Sequence, residues 1–207
     1  MIAIGASTGG TEAIERLLRD FPADAPGTLV VQHLPGEERV TGRTPERVSL
    51  DFVRQLDASS AMTVREACDG DRIAPGTVLV APAGRHLEVA HHEGALVVRT
   101  TFGLQVHHHR PAVDVLFHSV ARTCGRRAVG ALLTGMGTDG ARGLLAMRAV
   151  GAHTIAQDEA TSVVYGMPRE AALLNAAVEV LPLEQMAQAL VRAGRAAGHL
   201  RLRATPP

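Results

Sequence analysis

IAIGASTGG, at residues 2–10, is the stretch that decides the fold class. Its apolar start at residues 2–4 predicts a buried strand that runs into a glycine-rich turn. Residues 11–21 follow, with apolar side chains at the spacing of one helical face. A strand, a tight turn and a helix in that order are typical of an α/β protein.

The same alternation continues along the chain. Further strands are predicted at residues 29–32, 62–65, 78–81, 87–90, 96–100, 128–133, 154–157 and 178–181. Helices are predicted at residues 48–56, 113–123, 141–150, 169–177 and 183–194, and a polar loop at 35–45. Since most strands are apolar on both faces, we predict a three-layer, doubly wound, mostly parallel sheet of Rossmann-like type.

The two strands within residues 87–100 are separated by HHEGA, which predicts an antiparallel hairpin at one edge of that sheet. No repeat or linker divides the chain. We therefore expect one domain at residues 1–194 and a flexible, Arg- and Pro-rich tail at residues 195–207.

Composition limits the possible functions. The formal net charge of the 207 residues is zero, so we expect no binding to nucleic acid and no electrostatic capture by a membrane. The basic residues are all arginine, which excludes lysine Schiff-base chemistry. The sequence has neither a basic leader nor 18 consecutive apolar residues, and its two cysteines form no CxxC pair. We expect a soluble cytoplasmic protein with reduced cysteines.

Ligands of parallel sheets gather beyond the carboxyl ends of the strands, and the first glycine turn lies there. The loop from Gly5 to Gly10 fits the pattern G-x-S-x-G, a sharp turn that exposes the hydroxyl of Ser7. The helix that follows offers N–H groups able to stabilise an oxyanion. The same loop is equally suited to bind a phosphate, with Ser7 as a hydrogen-bonding partner.

Two further residues follow predicted strands at the same edge. His33 suits a general base that takes the serine proton, although a histidine there can also be a packed structural residue. Asp139, in the loop LTGMGTDG at residues 133–140, can orient that histidine or simply cap the following helix. The chain order Ser, His, Asp differs from that of the common α/β hydrolases.

These segments resemble the catalytic domain of the chemotaxis protein-glutamate methylesterases, the CheB type. The resemblance extends to about residue 190. The matching stretches are IGASTGG (4–10), VQHLP (31–35), APAGRH (81–86), RPAVDVLF (110–117), residues 132–143 and residues 155–168.

The resemblance implies that Ser7 is the nucleophile, His33 the base and Asp139 the orienting acid. It implies that the loop of Met136 lends a backbone N–H to the oxyanion hole and that Thr8 lies beside the site. The implied substrates are γ-methyl glutamyl esters on the cytoplasmic helices of methyl-accepting chemoreceptors. Related members also deamidate receptor glutamines. Such chemistry needs no metal or organic cofactor, and we expect none.

Two departures from the family pattern bear on regulation and specificity. Family members usually carry a receiver domain before the catalytic domain, whereas the first strand here begins at Ile2. We therefore expect a stand-alone or excised domain, with a separate response regulator or signalling protein as a possible partner. After His33 the sequence LPGEER replaces the family's usual proline pair and Phe-Thr, so substrate specificity stays open.

Other functions compete with this one. The chain could be an esterase for a different small or protein ester, a phosphate- or nucleotide-binding module at the Gly5–Gly10 loop, or an inactive scaffold. Three consecutive histidines, at residues 107–109, suggest metal ligands. Adjacent side chains point in different directions, however, so we predict no metal site there.

Overall fold

The computed structural model describes residues 1–34, 42 and 44–198 of the chain. The strands are β1 (Ile2–Ala6), β2 (Thr28–Gln32), β3 (Thr63–Glu66), β4 (Thr77–Val80), β5 (His86–His92), β6 (Ala95–Thr101), β7 (Val129–Leu132), β8 (His153–Gln157) and β9 (Glu179–Leu181). Seven of them form one parallel sheet in the order β3-β4-β2-β1-β7-β8-β9.

Within the described residues, six α-helices cover this sheet on both faces. They are α1 (Gly10–Arg19), α2 (Pro45–Ser59), α3 (Val113–Cys124), α4 (Ala141–Ala149), α5 (Met167–Leu173) and α6 (Leu183–Gly198). Successive residues of β1 face opposite cores, as a strand requires: Ile2 packs with α1, α2 and α6, and Ala3 with α3, α4 and α5. None of these helices is long and apolar enough to cross a membrane. The three-layer parallel fold is therefore confirmed.

The predicted hairpin exists but does not join an edge of the main sheet. Among the described strands, β5 and β6 form a separate two-stranded sheet, and the main sheet ends at β3 and β9. The outer edge of β6 forms one isolated antiparallel bridge, between Val97 and Arg72. The amide of Val89 in β5 donates to Ser119 Oγ in α3 at 2.9 Å, and Thr123 Oγ1 donates to the Val89 carbonyl at 3.0 Å. The hairpin buries its apolar face on α3 instead of extending the sheet, which corrects the prediction of an edge position.

Several helix boundaries differ from the predicted ones, among them the start of α2 and the end of α6. α2 begins at Pro45, where the Thr44 hydroxyl accepts the amide of Arg47 at 3.4 Å and caps the helix. α6 continues to Gly198, so residues 195–198 of the expected flexible tail are helical, with Arg195 paired to Asp24 at 2.7 Å. Residues 199–207 and most of the predicted polar loop, 35–41 and 43, lie outside the described residues.

The carboxyl end of β1 lies where the sheet divides. The chain leaves β1 toward β2 on one side, whereas β7 leads to β8 on the other, so the loops after β1 and β7 diverge. In doubly wound sheets such a switch point is where ligands bind. Gly5 allows the first turn of α3 to approach this point, because a Cβ at residue 5 would lie 2.2 Å from Val113 Cγ1.

We expect Gly5→Ala to lower the free energy of unfolding by about 1–3 kcal/mol, because the added methyl group overlaps the buried Val113 side chain. Gly198→Ala is the control, since a Cβ there meets no atom within 4 Å. Urea unfolding of both variants measures the effect. Equal unfolding midpoints for the two variants would contradict this account of how α3 is seated.

Candidate active site

The loop after β1 presents Ser7 at the edge of the sheet. The Ser7 amide donates to the Thr134 carbonyl at 3.0 Å, and the Gly10 amide donates to the Ser7 carbonyl at 2.8 Å, closing a tight turn. Ser7 is partly exposed, and its hydroxyl makes no hydrogen bond to any residue that the structure describes. The side chain is thus free to meet a ligand.

Ser7 and His33 follow the paired ends of two neighbouring strands. The register of β1 and β2 aligns Ala6 with Gln32, and the His33 amide continues the ladder by donating to the Ala6 carbonyl at 3.0 Å. Adjacent parallel strands lie about 4.8 Å apart. The fold therefore brings the predicted nucleophile and the predicted base to adjacent positions at the carboxyl edge.

His33 is hydrogen-bonded to Asp139. Its Nε2 lies 2.8 Å from Asp139 Oδ2, and both side chains are almost fully buried, with 4% and 2% exposed. An ionised carboxylate only accepts hydrogen bonds, so Nε2 carries the proton. His33 Nδ1 is buried and has no partner among the described residues. Its lone pair is the one available to accept a proton, the reverse of the nitrogen assignment in chymotrypsin-like triads.

Asp139 caps a helix, but not the helix that follows it. Its Oδ2 accepts the amide of Val113 at 2.7 Å and its Oδ1 accepts that of Asp114 at 2.9 Å, both in the first turn of α3. The residue at the N-cap of α4 is Gly140, which has no side-chain cap. Burial tends to raise the pKa of Asp139, but the hydrogen bond from His33 and the two backbone N–H groups outweigh it and lower that pKa. The carboxylate is therefore ionised at neutral pH.

His109 lies flat against His33, a contact that the sequence did not predict. The two ring centroids are 3.7 Å apart and the planes differ by 12°. Burial, and next the neighbouring His33, lower the pKa of His109. The His109 ring is thus a neutral imidazole that restricts rotation of the stacked His33 ring. In the sequence, His109 is distinguished only as a member of three consecutive histidines.

Gln32 connects the two loops that carry Ser7 and His33. Its Nε2 donates to the Ser7 carbonyl at 2.8 Å and to the His33 carbonyl at 3.0 Å. The residue is 5% exposed and follows the apolar residues 29–31 at the end of a buried strand. An amide side chain at a buried strand end is the sequence signal that could have indicated this role.

The loops that hold Thr8 and Met136 are tied together by Thr134, whose hydroxyl donates to the Thr8 carbonyl at 2.9 Å and accepts the Val164 amide at 2.9 Å. The amides of Thr8 and Met136 have no hydrogen-bond acceptor within the described part of the chain. Both groups are therefore available as donors to an oxyanion. Their roles stay predictions.

The adjoining cleft has a volume of about 260 Å³. It is lined by His107, His108, His109, Met136, Gly137, Thr138 and Asp139. The Met136 side chain, 71% exposed, projects at its rim.

The fold and the site together define a class: a doubly wound α/β protein with a buried His–Asp pair and a partly exposed serine at its switch point. The family model for the CheB methylesterase matches residues 2–190, and the chain belongs to that family.

Curated relatives in the family carry the name protein-glutamate methylesterase/protein-glutamine glutaminase. One from Pseudomonas aeruginosa is 52% identical over 192 residues, which are 93% of this chain and 52% of the relative. One from Anaeromyxobacter dehalogenans is also 52% identical, over 92% of this chain and 52% of the relative. The chain thus spans about half the length of these relatives.

A solved structure gives the same fold. The crystal structure of the Thermotoga maritima CheB methylesterase catalytic domain superposes with a TM-score of 0.84 at 31% identity. The match covers 92% of this chain and 96% of that domain. The resemblance that the sequence motifs suggested is therefore confirmed.

We expect Asp139→Asn to lower the free energy of unfolding by about 1–3 kcal/mol at pH 7, because the amide group faces hydrogen-bond donors that the carboxylate accepts. The pKa of Asp139 is lowered in the folded state. Its contribution is therefore present above the unfolded pKa of about 3.9 and is lost as the pH falls through the folded value.

Urea unfolding of both proteins between pH 7 and pH 3 tests this expectation. The difference between the wild type and the variant should narrow in the acidic part of that range. Asp24→Asn, at a carboxylate 78% exposed, is the control and should change stability little. A difference for Asp139→Asn that is the same at every pH would contradict the assignment of an ionised carboxylate.

Proposed function

We propose that this chain is a protein-glutamate methylesterase that hydrolyses γ-methyl glutamyl esters on the cytoplasmic helices of methyl-accepting chemoreceptors. Family membership and the names of relatives about 50% identical support the activity. The observation that carries the proposal is the His33–Asp139 contact of 2.8 Å, which leaves His33 Nδ1 without a partner among the described residues. The His33 amide bonds to the carbonyl of Ala6, the residue before Ser7.

In the first half of the reaction, Ser7 Oγ attacks the ester carbonyl carbon and its proton passes to His33 Nδ1. Asp139 stabilises the imidazolium through Nε2. The tetrahedral oxyanion accepts hydrogen bonds from backbone N–H groups, for which Thr8 and Met136 are the candidates. The carbon–methoxy bond then breaks, methanol leaves with the proton from Nδ1, and the glutamyl group stays on Ser7 as an ester.

The second half uses the same groups with water as the nucleophile. His33 Nδ1 takes a proton from water as the oxygen adds to the acyl carbon, and returns that proton to Ser7 Oγ as the acyl–serine bond breaks. The products are methanol and a glutamate side chain. Deamidation of a receptor glutamine follows the same course with ammonia as the leaving group, as the second half of the relatives' name suggests.

The proposed function implies a cellular compartment and a set of partners for the chain. It acts in the cytoplasm, where the methylated helices of the receptors lie. Control comes from a response regulator or another signalling protein, on the same chain or a separate one. Residues 34–39, LPGEER, depart from the family pattern, directly follow His33 and contribute to substrate choice.

We expect Ser7→Ala to lower methanol release from methylated receptor membranes by roughly 10⁴-fold or more, since no other group supplies the attacking oxygen. Ser59→Ala is the matched control, because that hydroxyl bonds only the Leu56 carbonyl at the end of α2. Circular dichroism checks that both variants fold. Full activity of Ser7→Ala would remove Ser7 from the mechanism.

The same two variants separate receptor demethylation from a different esterase function. Turnover of methylated receptor fragment is compared with turnover of a simple aryl ester. If Ser7 is required for turnover of the aryl ester but the receptor fragment is not hydrolysed, the catalytic role of Ser7 stands and the proposed receptor substrate is wrong.

We expect Gln32→Met to lower kcat by roughly tenfold to a hundredfold with a smaller change in KM, because the carbonyls of Ser7 and His33 lose their shared donor and the two loops lose alignment. Gln55→Met, on the exposed side of α2, is the control. A fall in thermal stability with unchanged kcat would assign Gln32 a purely structural role.

A further inference from the structure

A second group of ionisable side chains lies beside the His33–Asp139 pair. His107, Asp114 and Asp139 each place one potential metal-ligand atom within 4.8 Å of the others. His107 Nε2 lies 3.0 Å from Asp114 Oδ2, and the Asp114 side chain is only 5% exposed. Two buried carboxylates thus face one imidazole, outside the roles that the mechanism gives to His107 and Asp114.

Only one of the three consecutive histidines takes part. His107 and His108 have positive φ angles of 51° and 65°, and the backbone of Val106 pairs with that of His109 on either side of them. This turn directs His107 to Asp114 and His109 to His33. The three side chains diverge, as adjacent residues do, and the metal-ligand set is completed by carboxylates from two other segments.

The chemistry of the set favours zinc over the hard cations. One imidazole nitrogen and two carboxylate oxygens supply three protein ligands, the number in open zinc sites, and zinc accepts both ligand types. Mg²⁺ and Ca²⁺ prefer oxygen ligands alone. His107 is 37% exposed and lines the cleft of about 260 Å³, so an ion has a path in and water has room for the fourth position. A divalent cation also offsets the repulsion of two buried carboxylates.

We propose that Zn²⁺ binds to His107, Asp114 and Asp139 and inhibits the enzyme by taking the Asp139 carboxylate away from His33. The binding site stands by itself, and the inhibition rests on the proposed function. Oδ2 of Asp139 accepts a hydrogen bond from Nε2 of His33. A zinc–oxygen bond to that carboxylate withdraws its charge, so His33 loses the partner that fixes its tautomer and stabilises its imidazolium.

Titration calorimetry with ZnCl₂ tests the site without reference to catalysis. We expect one zinc ion per chain at the highest-affinity step, with His107→Asn weakening that step at least about tenfold. His108→Asn is the matched control, since it changes a neighbouring exposed histidine of the same backbone conformation and should leave the affinity unchanged. Asparagine tolerates the positive φ at both positions. Mg²⁺ at the same concentration should not displace zinc.

Methanol release in the presence and absence of zinc then tests inhibition. Zinc should inhibit the wild type and His108→Asn alike, whereas His107→Asn, compared with its own zinc-free rate, should resist zinc. Equal zinc affinity of the two variants, or no binding by the wild type, would overturn the site. Binding that depends on His107 without loss of activity would overturn the inhibition alone. If no ester is hydrolysed, the proposed function fails and calorimetry still decides the metal site.

Discussion

The Asp139 carboxylate is the group on which the site depends. Taking an ionised carboxylate out of water costs several kcal/mol unless it is paired and hydrogen-bonded. Asp139, 2% exposed, receives three donors: His33 Nε2 and the amides of Val113 and Asp114. The two amides belong to the first turn of α3, where the helix dipole also favours a negative charge. One charge thus fixes the ends of β2 and α3 relative to the loop after β7.

That arrangement requires the order of the strands. Because β2, β1 and β7 are neighbours, Ser7, His33 and the Asp139 loop all emerge at one edge of the sheet. It also requires a glycine at residue 5, since any side chain there would push the first turn of α3, and with it the donors to Asp139, away from β1. The glycine and the carboxylate are 134 positions apart in the sequence, yet the hydrogen bonds of Asp139 to α3 depend on the space that Gly5 leaves.

The sequence predicted those features of the fold that depend on the local pattern of apolar residues. Alternating apolar strands and helices predicted the parallel sheet, and parallel strands place their carboxyl ends together, so three candidate residues at three strand ends were expected to meet. His33 and Asp139 do meet, at 2.8 Å. The partner of the Asp139 cap could not be predicted in this way, because it lies in α3, about 25 residues upstream, and not in the adjacent α4. The predicted edge position of the hairpin was wrong for the same reason, because period-two alternation indicates strands but not the surface on which they pack.

Burial keeps His109 neutral, and His107 is paired with Asp114. Two buried carboxylates, Asp114 and Asp139, lie within a few ångströms, and each already faces an imidazole. Stacked 3.7 Å from His33, a protonated His109 would repel an imidazolium at His33, which the proposed reaction forms, and burial keeps His109 uncharged. The negative charge of Asp139 therefore stays available to His33, and to any cation able to reach the carboxylates from the His107 side. A buried carboxylate that orients a histidine can also bind a metal ion, because its oxygens are ligands for cations. The side chains that line the adjoining cleft therefore decide whether a cation reaches Asp139.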